Sequence, residues 1–144
     1  MKREYPDRPM VGVGAVIIEG NRVLLARRAG PPLQGQWSLP GGVVELGETL
    51  RAAAEREALE ETGLVVEAGE VLEVLDRIIS GKDGGTQYHY VLIDFLCHRR
   101  GGNLRAGADA AEVAWAAEEE LSNYHLEEIA VQVIRKGFKH QSKS

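Results

Sequence analysis

The first part of the chain alternates apolar segments with turn signals. Residues 10–18 (MVGVGAVII) are apolar throughout, which predicts a buried strand. EGN (19–21) is typical of a turn, and RVLLARR (22–28) predicts the returning strand of a hairpin. A Gly- and Pro-rich loop at 29–36 and a short extended piece at 37–39 follow, before Pro40-Gly41-Gly42 interrupts the pattern.

The clearest helix is predicted near residues 49–62. Its body consists mostly of Ala, Glu, Arg and Leu, which are strong helix formers. Gly63 is well placed to end this helix, because glycine adopts the left-handed backbone conformation without steric cost.

The remaining pattern predicts strands and then a second helix. Apolar and polar residues alternate over 64–79, which indicates one or two strands, and KDGG (82–85) favours a hairpin turn. Further along, residues 86–99 predict a long strand, GGN (101–103) a turn, and EVAWA (112–116) another strand. Helical spacing predicts a C-terminal amphipathic helix that carries Leu126, Ile129, Ala130, Val133 and Ile134. This order of elements predicts an α+β or α/β sandwich, with a mixed sheet and helices on its faces.

Composition and charge narrow the functional classes. A chain of 144 residues, 44% hydrophobic and 27% charged, predicts one globular domain over 1–144. The net charge of 17 − 22 = −5 argues against a general nucleic-acid binder, although a metal ion could still attract a small phosphate-bearing substrate. The longest apolar runs are broken, as in VLIDFLC (91–97), so we expect no membrane span. The N-terminal residues lack a signal-peptide core and Cys97 has no disulfide partner, so we expect a cytoplasmic protein.

Like charges crowd the end of the predicted helix. At roughly 100° per residue, Glu57, Glu60 and Glu61 fall within an arc of about 100°. They share that side of the helix with the small apolar residues that would pack on the sheet, Ala53, Ala54 and Ala58. Repulsion costs roughly 0.2–0.5 kcal/mol per pair in water, and a bound divalent cation would reverse its sign. Composition alone does not distinguish such a cation site from an ordinary acidic helix that faces solvent.

The spacing of the acidic residues distinguishes these interpretations. Gly42 is followed by five residues and Glu48, and seven more residues lead to Arg56-Glu57-Ala58-Leu59-Glu60-Glu61-Thr62-Gly63-Leu64. This segment resembles the Nudix box, G-x5-E-x7-R-E-U-x-E-E-x-G-U, with Ala58 as a soft departure at a packing position. The W-S-L-P-G-G lead-in and a later E-x-x-W (Glu112 to Trp115) are also similar to this family, and to its bacterial ADP-ribose pyrophosphatase and MutT-type group.

The resemblance implies a fold, an activity and a metal site. It implies an α/β fold, an α/β/α sandwich with a mixed sheet, and hydrolysis of a nucleoside diphosphate linked to another moiety with Mg²⁺ or Mn²⁺. The residues matching the family's metal ligands are Glu57, Glu60, Glu61 and the backbone carbonyl of Gly42. The general base is left open between Glu57 and Glu60, or a residue of a later loop, Asp109 or Glu112.

Other residues have two interpretations each. The resemblance places Arg56 in the catalytic set, and its separation from Glu48 favours an ion pair that braces the loop over direct metal ligation by Glu48. Arg28 matches a nucleotide-contacting arginine of MutT-type members, or else forms a solvated pair with Arg27. Trp37 could stack on a base or belong to the core.

The resemblance also leaves a second function open. A catalytically inactive Nudix-fold domain, binding nucleotides or regulating, is the alternative to an enzyme, but the complete carboxylate set favours the enzyme. Markers of ADP-ribose, dinucleoside-polyphosphate and coenzyme A subgroups are absent, so the nucleotide substrate stays open, as do the number of metal ions and the choice between monomer and homodimer.

Overall fold

A computed structural model describes residues 2–31, 33–107 and 109–142. Its strands are β1 (Met10–Glu19), β2 (Arg22–Arg28), β3 (Trp37–Ser38), β4 (Gly41–Val43), β5 (Leu64–Ser80), β6 (Thr86–Gly102) and β7 (Ala110–Ala117). Its helices are α1 (Leu50–Thr62), α2 (Glu128–Ser142) and a 3₁₀ helix (Glu118–Tyr124). In the part of the chain that the structure describes, no helix is long and apolar enough to cross a membrane.

The strands form one mixed sheet, as the sequence predicts. The order is β3-β2-β1-β6-β5, with β4 paired to β1 and β7 paired to β2. Strand β1 runs parallel to β6, from Met10 opposite Tyr90 to Ile17 opposite Cys97, while its partners β2 and β4 are antiparallel to it. The hairpin end of β1 pairs with β2, and its other end pairs with β4. The sheet therefore parts along β1, and this parting opens the cleft described below.

Helices cover both faces of the sheet. On one face the alanines of α1 pack against the odd-numbered residues of β1, such as Val13 and Ile17. On the other face Val133 and Ile134 of α2 pack with Val16. Each fully buried aliphatic side chain contributes roughly 1.5–3 kcal/mol, so these two clusters hold the layers together. The expected α/β/α sandwich is confirmed.

Helix α1 forms close to the predicted range and ends at the predicted glycine. The side chain of Thr49 accepts a hydrogen bond from the Ala52 N–H at 3.1 Å, which caps the first turn. Gly63 adopts φ 77° and its N–H donates to the Leu59 carbonyl at 3.0 Å. The expectation that all three glutamates lie on the packing side is wrong for Glu60, which is exposed. On the helical wheel Glu60 lies roughly 60° from Glu57, on the side away from the buried Ala58, Glu61 and Thr62, and so clears the sheet.

Other differences from the sequence predictions have tertiary causes. Residues predicted to interrupt the pattern form β4, because Gly41–Val43 pairs with Gly12–Gly14 of β1. The turn predicted at 101–103 is wrong in its first two residues, because β6 continues through Gly102 opposite Leu64 of β5. The 3₁₀ helix, Glu118–Tyr124, was not predicted, since it lacks an apolar period of its own.

Candidate active site

A cavity of about 320 Å³ lies on the α2 side of the sheet, where β1 parts from β2. Its floor is formed by β1 and β6, and α2 forms one wall. Its lining includes Gly12 and Gly14 of β1, Arg28, Leu39, Gly41, Gly42, Glu57 and Glu61 of α1, Leu75 and Arg77 of β5, Tyr90, Leu92 and Asp94 of β6, Asp109 and Val133. The cavity is large enough for part of a small-molecule ligand, and its lining is acidic at one end and partly apolar elsewhere.

Glu61 is a buried carboxyl group at the acidic end. Only 7% of the residue is exposed, and its Oε2 accepts a hydrogen bond from the Gly41 N–H at 2.7 Å. Burial raises the pKa of Glu61 to about 8, against the opposing effect of the Gly41 hydrogen bond, and the neighbouring charge of Glu57 raises it further. A cation placed here would favour the ionised form and relieve this repulsion.

Glu57 lies against the Gly41-Gly42 segment. A Cβ atom on Gly42 would stand 2.5 Å from the carboxyl carbon of Glu57, so this position has no room for a side chain. Burial raises the pKa of Glu57, against the hydrogen bond and charge of Arg56, which lower it. The tight glycine turn therefore lets a helix carboxylate approach the backbone of β4 closely.

Arg56 ties the loop to the helix, as its spacing from Glu48 predicts. Its Nε and Nη2 donate to the two carboxylate oxygens of Glu48, at 2.7 and 2.9 Å, and Nη2 also donates to the Val43 carbonyl at 3.1 Å. The same guanidinium donates to Glu57 at 2.8 Å. The hydrogen bonds from Arg56 lower the pKa of Glu48 to about 2. The arginine thus orients Glu57 while it braces the loop.

Glu60 is more exposed than the other two carboxylates and shares Nη1 of Arg56 with Glu57. Its side chain is 52% exposed and accepts a hydrogen bond from Arg56 at 3.3 Å. Among the described residues, no group of three or more His, Cys, Asp or Glu side chains is close enough together to hold a metal ion. Glu57, Glu61 and the Gly42 carbonyl nevertheless give oxygen donors around one end of the cavity, a donor type that suits Mg²⁺. Glu60, held by the same Arg56 nitrogen as Glu57, lies beside this set.

The structure separates the remaining candidates. Arg28 and Asp109 line the cavity, and the charge of Arg28 lowers the pKa of Glu61. Glu112 is exposed and pairs with Arg27 at 3.0 Å, so Asp109, not Glu112, is the later-loop carboxylate at the cavity. Trp37 does not line the cavity.

Trp37 instead packs in the core. It is half-buried beside the α2-side cluster, and its ring meets that of Tyr124 edge-on with 5.1 Å between centroids. This contact accounts for the aromatic side chain without a bound base.

Comparison with known proteins adds to this geometry. A family model described as the NUDIX domain matches residues 8–137. The chain belongs to the Nudix family. This family assignment confirms the resemblance found in the sequence.

Two relatives illustrate the range of named Nudix activities. The chain is 40% identical over 104 residues to an ADP-ribose pyrophosphatase of Methanocaldococcus jannaschii, an alignment that covers 72% of this chain and 59% of that protein. It is 35% identical over 121 residues to a MutT-like protein of Streptomyces ambofaciens, covering 84% of this chain and 71% of that one. The chain thus spans less than two thirds of the length of the first relative.

A solved Nudix structure shares the fold. The MutT NUDIX hydrolase from Burkholderia pseudomallei superposes with a TM-score of 0.74 and 30% identity, covering 90% of this chain and 98% of that one. The α/β Nudix fold expected from the sequence is therefore confirmed.

Some residues of this Nudix cavity were not singled out in the sequence. Arg3, Arg77, Tyr90 and Asp94 all line it. Arg77 forms an ion pair with Glu127 at the start of α2. For Asp94 a signal was present, because it is the one charged residue inside the apolar segment VLIDFLC (91–97).

Proposed function

We propose that this Nudix hydrolase cleaves the diphosphate of a nucleoside diphosphate linked to another moiety, such as ADP-ribose or a nucleoside triphosphate, using Mg²⁺ or Mn²⁺. The observation that carries the proposal is that Glu57 and Glu61 lie together at one end of a cavity that also presents Arg28 and a partly apolar floor. Such a cavity offers a cation site and an arginine to a diphosphate, and aromatic and aliphatic surface to the organic part of the substrate.

The roles of the chain's own residues follow from their positions. Glu57, Glu61 and the Gly42 carbonyl would hold the metal, with Glu60 as a further ligand. The metal ion neutralises phosphate charge and lowers the pKa of a bound water. Arg28, which lines the cavity, would bind a phosphate oxygen, and Arg56 would keep Glu57 in position. The proton of the attacking water would pass to Glu57, Glu60 or Asp109.

The setting of the activity is part of the proposal. We propose a single domain over residues 1–144, supported by one sheet with a helix layer on each face. A small nucleotide, and not a nucleic acid, is the partner, since the net charge is −5. We place the protein in the cytoplasm, in keeping with its unpaired cysteine.

A product-release assay tests this function. Wild-type protein is incubated with ADP-ribose, NADH, dinucleoside polyphosphates, and oxidised and normal nucleoside triphosphates, with Mg²⁺, with Mn²⁺ and with excess EDTA. We expect turnover of at least one substrate, its loss in EDTA and its return when metal is restored.

Two outcomes would contradict the proposal. Full turnover in EDTA would show that no metal is needed. Tight nucleotide binding without product, with either metal, would support the alternative of a Nudix-fold binding domain. When a carboxylate of the cavity is removed in Glu61→Gln, the matched control is Glu67→Gln, which removes an exposed carboxylate on β5 outside the cavity.

A further inference from the structure

Asp94 is a buried carboxyl group that the proposed mechanism does not use. It lies on β6 with 8% of its surface exposed, and it lines the floor of the cavity. Its neighbours along that face of β6 are apolar, Leu92 on one side and Leu96 on the other. A charged residue in this position has to be explained by a contact.

Within the described residues, no group donates a hydrogen bond to the Asp94 side chain. No side-chain oxygen in those residues is both sealed from solvent and without a partner. The carboxyl oxygens of Asp94 are therefore open to the cavity. An unpaired buried carboxylate is costly, so the fold alone gives no reason to keep it.

The nearest charge on β5 does not supply that reason. Glu73 is the cross-strand neighbour of Asp94, carries the same sign and is itself engaged by Lys136 at 2.6 Å. Glu73 and burial act in the same direction, since both raise the pKa of Asp94. Neither burial nor the charge of Glu73 stabilises the ionised aspartate.

Strand β1 leaves space for this carboxyl group. Gly14 lies directly opposite Asp94 in the parallel pairing of β1 with β6. A Cβ atom on Gly14 would overlap Oδ1 of Asp94, and one on Gly12 would lie 2.6 Å from a methyl carbon of Leu92. Because Gly12 and Gly14 have no side chains, the carboxyl group of Asp94 fits against β1 and the cavity floor stays open.

The position of Asp94 indicates what it meets. Gly14 of β1 pairs with Gly41 on one side and with Asp94 on the other, so Asp94 and the Gly41 N–H that donates to Glu61 lie on opposite sides of β1. An ionised aspartate repels a phosphate, so the diphosphate suits the end of the cavity where the charge of Arg28 acts on Glu61, and Asp94 suits the organic part of the substrate. A carboxylate recognises N–H and O–H groups by accepting hydrogen bonds from them.

We propose that Asp94 determines substrate preference by accepting a hydrogen bond from an N–H or O–H donor on the organic part of the substrate. This inference rests on the proposed function, because it gives Asp94 a role in the same cavity that would bind the substrate's diphosphate. The donor is a ribose hydroxyl or an N–H of the base, and the experiment below distinguishes the two.

The test measures nucleotide binding and does not depend on turnover. Calorimetry in EDTA compares wild type, Asp94→Leu and Asp76→Leu with ADP and GDP and with analogues that each lack one donor: the 2′-deoxy forms, the purine form of ADP without its amino group, and IDP. Leucine has the branched shape of aspartate and accepts no hydrogen bond, whereas asparagine would keep an acceptor oxygen. Asp76 is an exposed aspartate on the opposite face of the sheet and is the matched control.

The expected result is specific to one donor. Removing the recognised donor should weaken binding to wild type and to Asp76→Leu at least tenfold, and binding to Asp94→Leu by less than threefold. Equal penalties in all three proteins for every donor, or an Asp94→Leu protein that binds each nucleotide as wild type does, would overturn the inference. If binding follows the expected pattern but no substrate is hydrolysed with metal, the proposed function fails while the assignment of Asp94 stands.

Discussion

Replacing Asp94 with asparagine should stabilise the protein at neutral pH and have no stabilising effect in acid. The side chain keeps its shape, but the charge is lost. Burial raises the pKa of Asp94 to about 6, from an ordinary value of 3.8. Between these two pH values the folded state holds a proton that the unfolded state has released, so the free energy of unfolding falls as pH rises.

The size of this effect follows from the two pKa values. A difference between 3.8 and about 6 corresponds to about 3 kcal/mol of stability, lost progressively across that window and fully absent above it. Asparagine does not titrate, so Asp94→Asn should match wild type within about 1 kcal/mol near pH 4. Above pH 6 it should exceed wild type by about 3 kcal/mol.

Urea denaturation in EDTA, repeated at unit intervals from pH 4 to pH 8, measures this difference. Glu57 and Glu61 also have raised pKa values, but they titrate in both proteins, so their contributions cancel when the two curves are subtracted. The exposed control Asp76→Asn should give a difference that is flat with pH. A difference for Asp94→Asn that does not grow between pH 4 and pH 6, or a variant less stable than wild type at pH 8, would refute the reasoning by showing that the fold stabilises the carboxylate.

Three further predictions concern the metal-binding end of the cavity. Glu61→Gln and Glu60→Gln should each lower kcat by at least two orders of magnitude in assays with Mg²⁺, because an oriented metal supplies several kcal/mol to the transition state. In EDTA, Glu60→Gln should keep or raise the melting temperature. Near-normal kcat in both variants would place the site elsewhere. Arg56→Ala leaves Glu48 and a mostly buried Glu57 without their partner, so urea denaturation should show a loss of about 3 kcal/mol, with a smaller loss for Arg56→Lys; equal stability of all three proteins would contradict the bracing role. Gly42→Ala should displace the Glu57 carboxylate and lower kcat at least tenfold while the fold is kept. The control Gly101→Ala, where an added Cβ meets open space, should leave kcat unchanged. Unchanged kcat in Gly42→Ala would show that activity does not depend on the close contact between Glu57 and Gly42.

The elements that could be predicted are those with local signals. Helix α1 begins beside a side chain that caps its N–H groups and ends at Gly63, whose left-handed conformation any reader of the sequence can anticipate. Strand β4 could not be predicted in this way, because two of its three residues are glycines, which are depleted in strands. Its extended form comes from pairing with β1, and that pairing depends on the whole sheet.

In the candidate site too, the residues that share a local motif could be predicted, and those brought in by strand pairing could not. Gly42, Glu57 and Glu61 belong to one loop-helix unit, so the spacing of the motif was enough to bring them together. Glu60 belongs to the same unit, but a helical wheel gives an angle and not a partner, and Arg56 holds this carboxylate outward. Asp94 reaches the cavity from a distant strand. Its charge within an apolar run was visible in the sequence, but its position beside Gly14 follows only from the parallel pairing of β1 with β6.

The parallel pairing of β1 with β6 also has a consequence while the chain is being synthesised. Met10 and Tyr90 are paired partners, although 90 − 10 = 80 positions separate them along the chain. At about 5–20 residues per second, a ribosome needs roughly 4–16 seconds to cover that interval. Meanwhile the apolar segment 10–18 leaves the ribosome with one edge unpaired, which is a template for association with other nascent chains. Any nascent chain that ends before residue 86 has no β6 to cover that edge, so early termination products of this protein should depend on chaperones or aggregate.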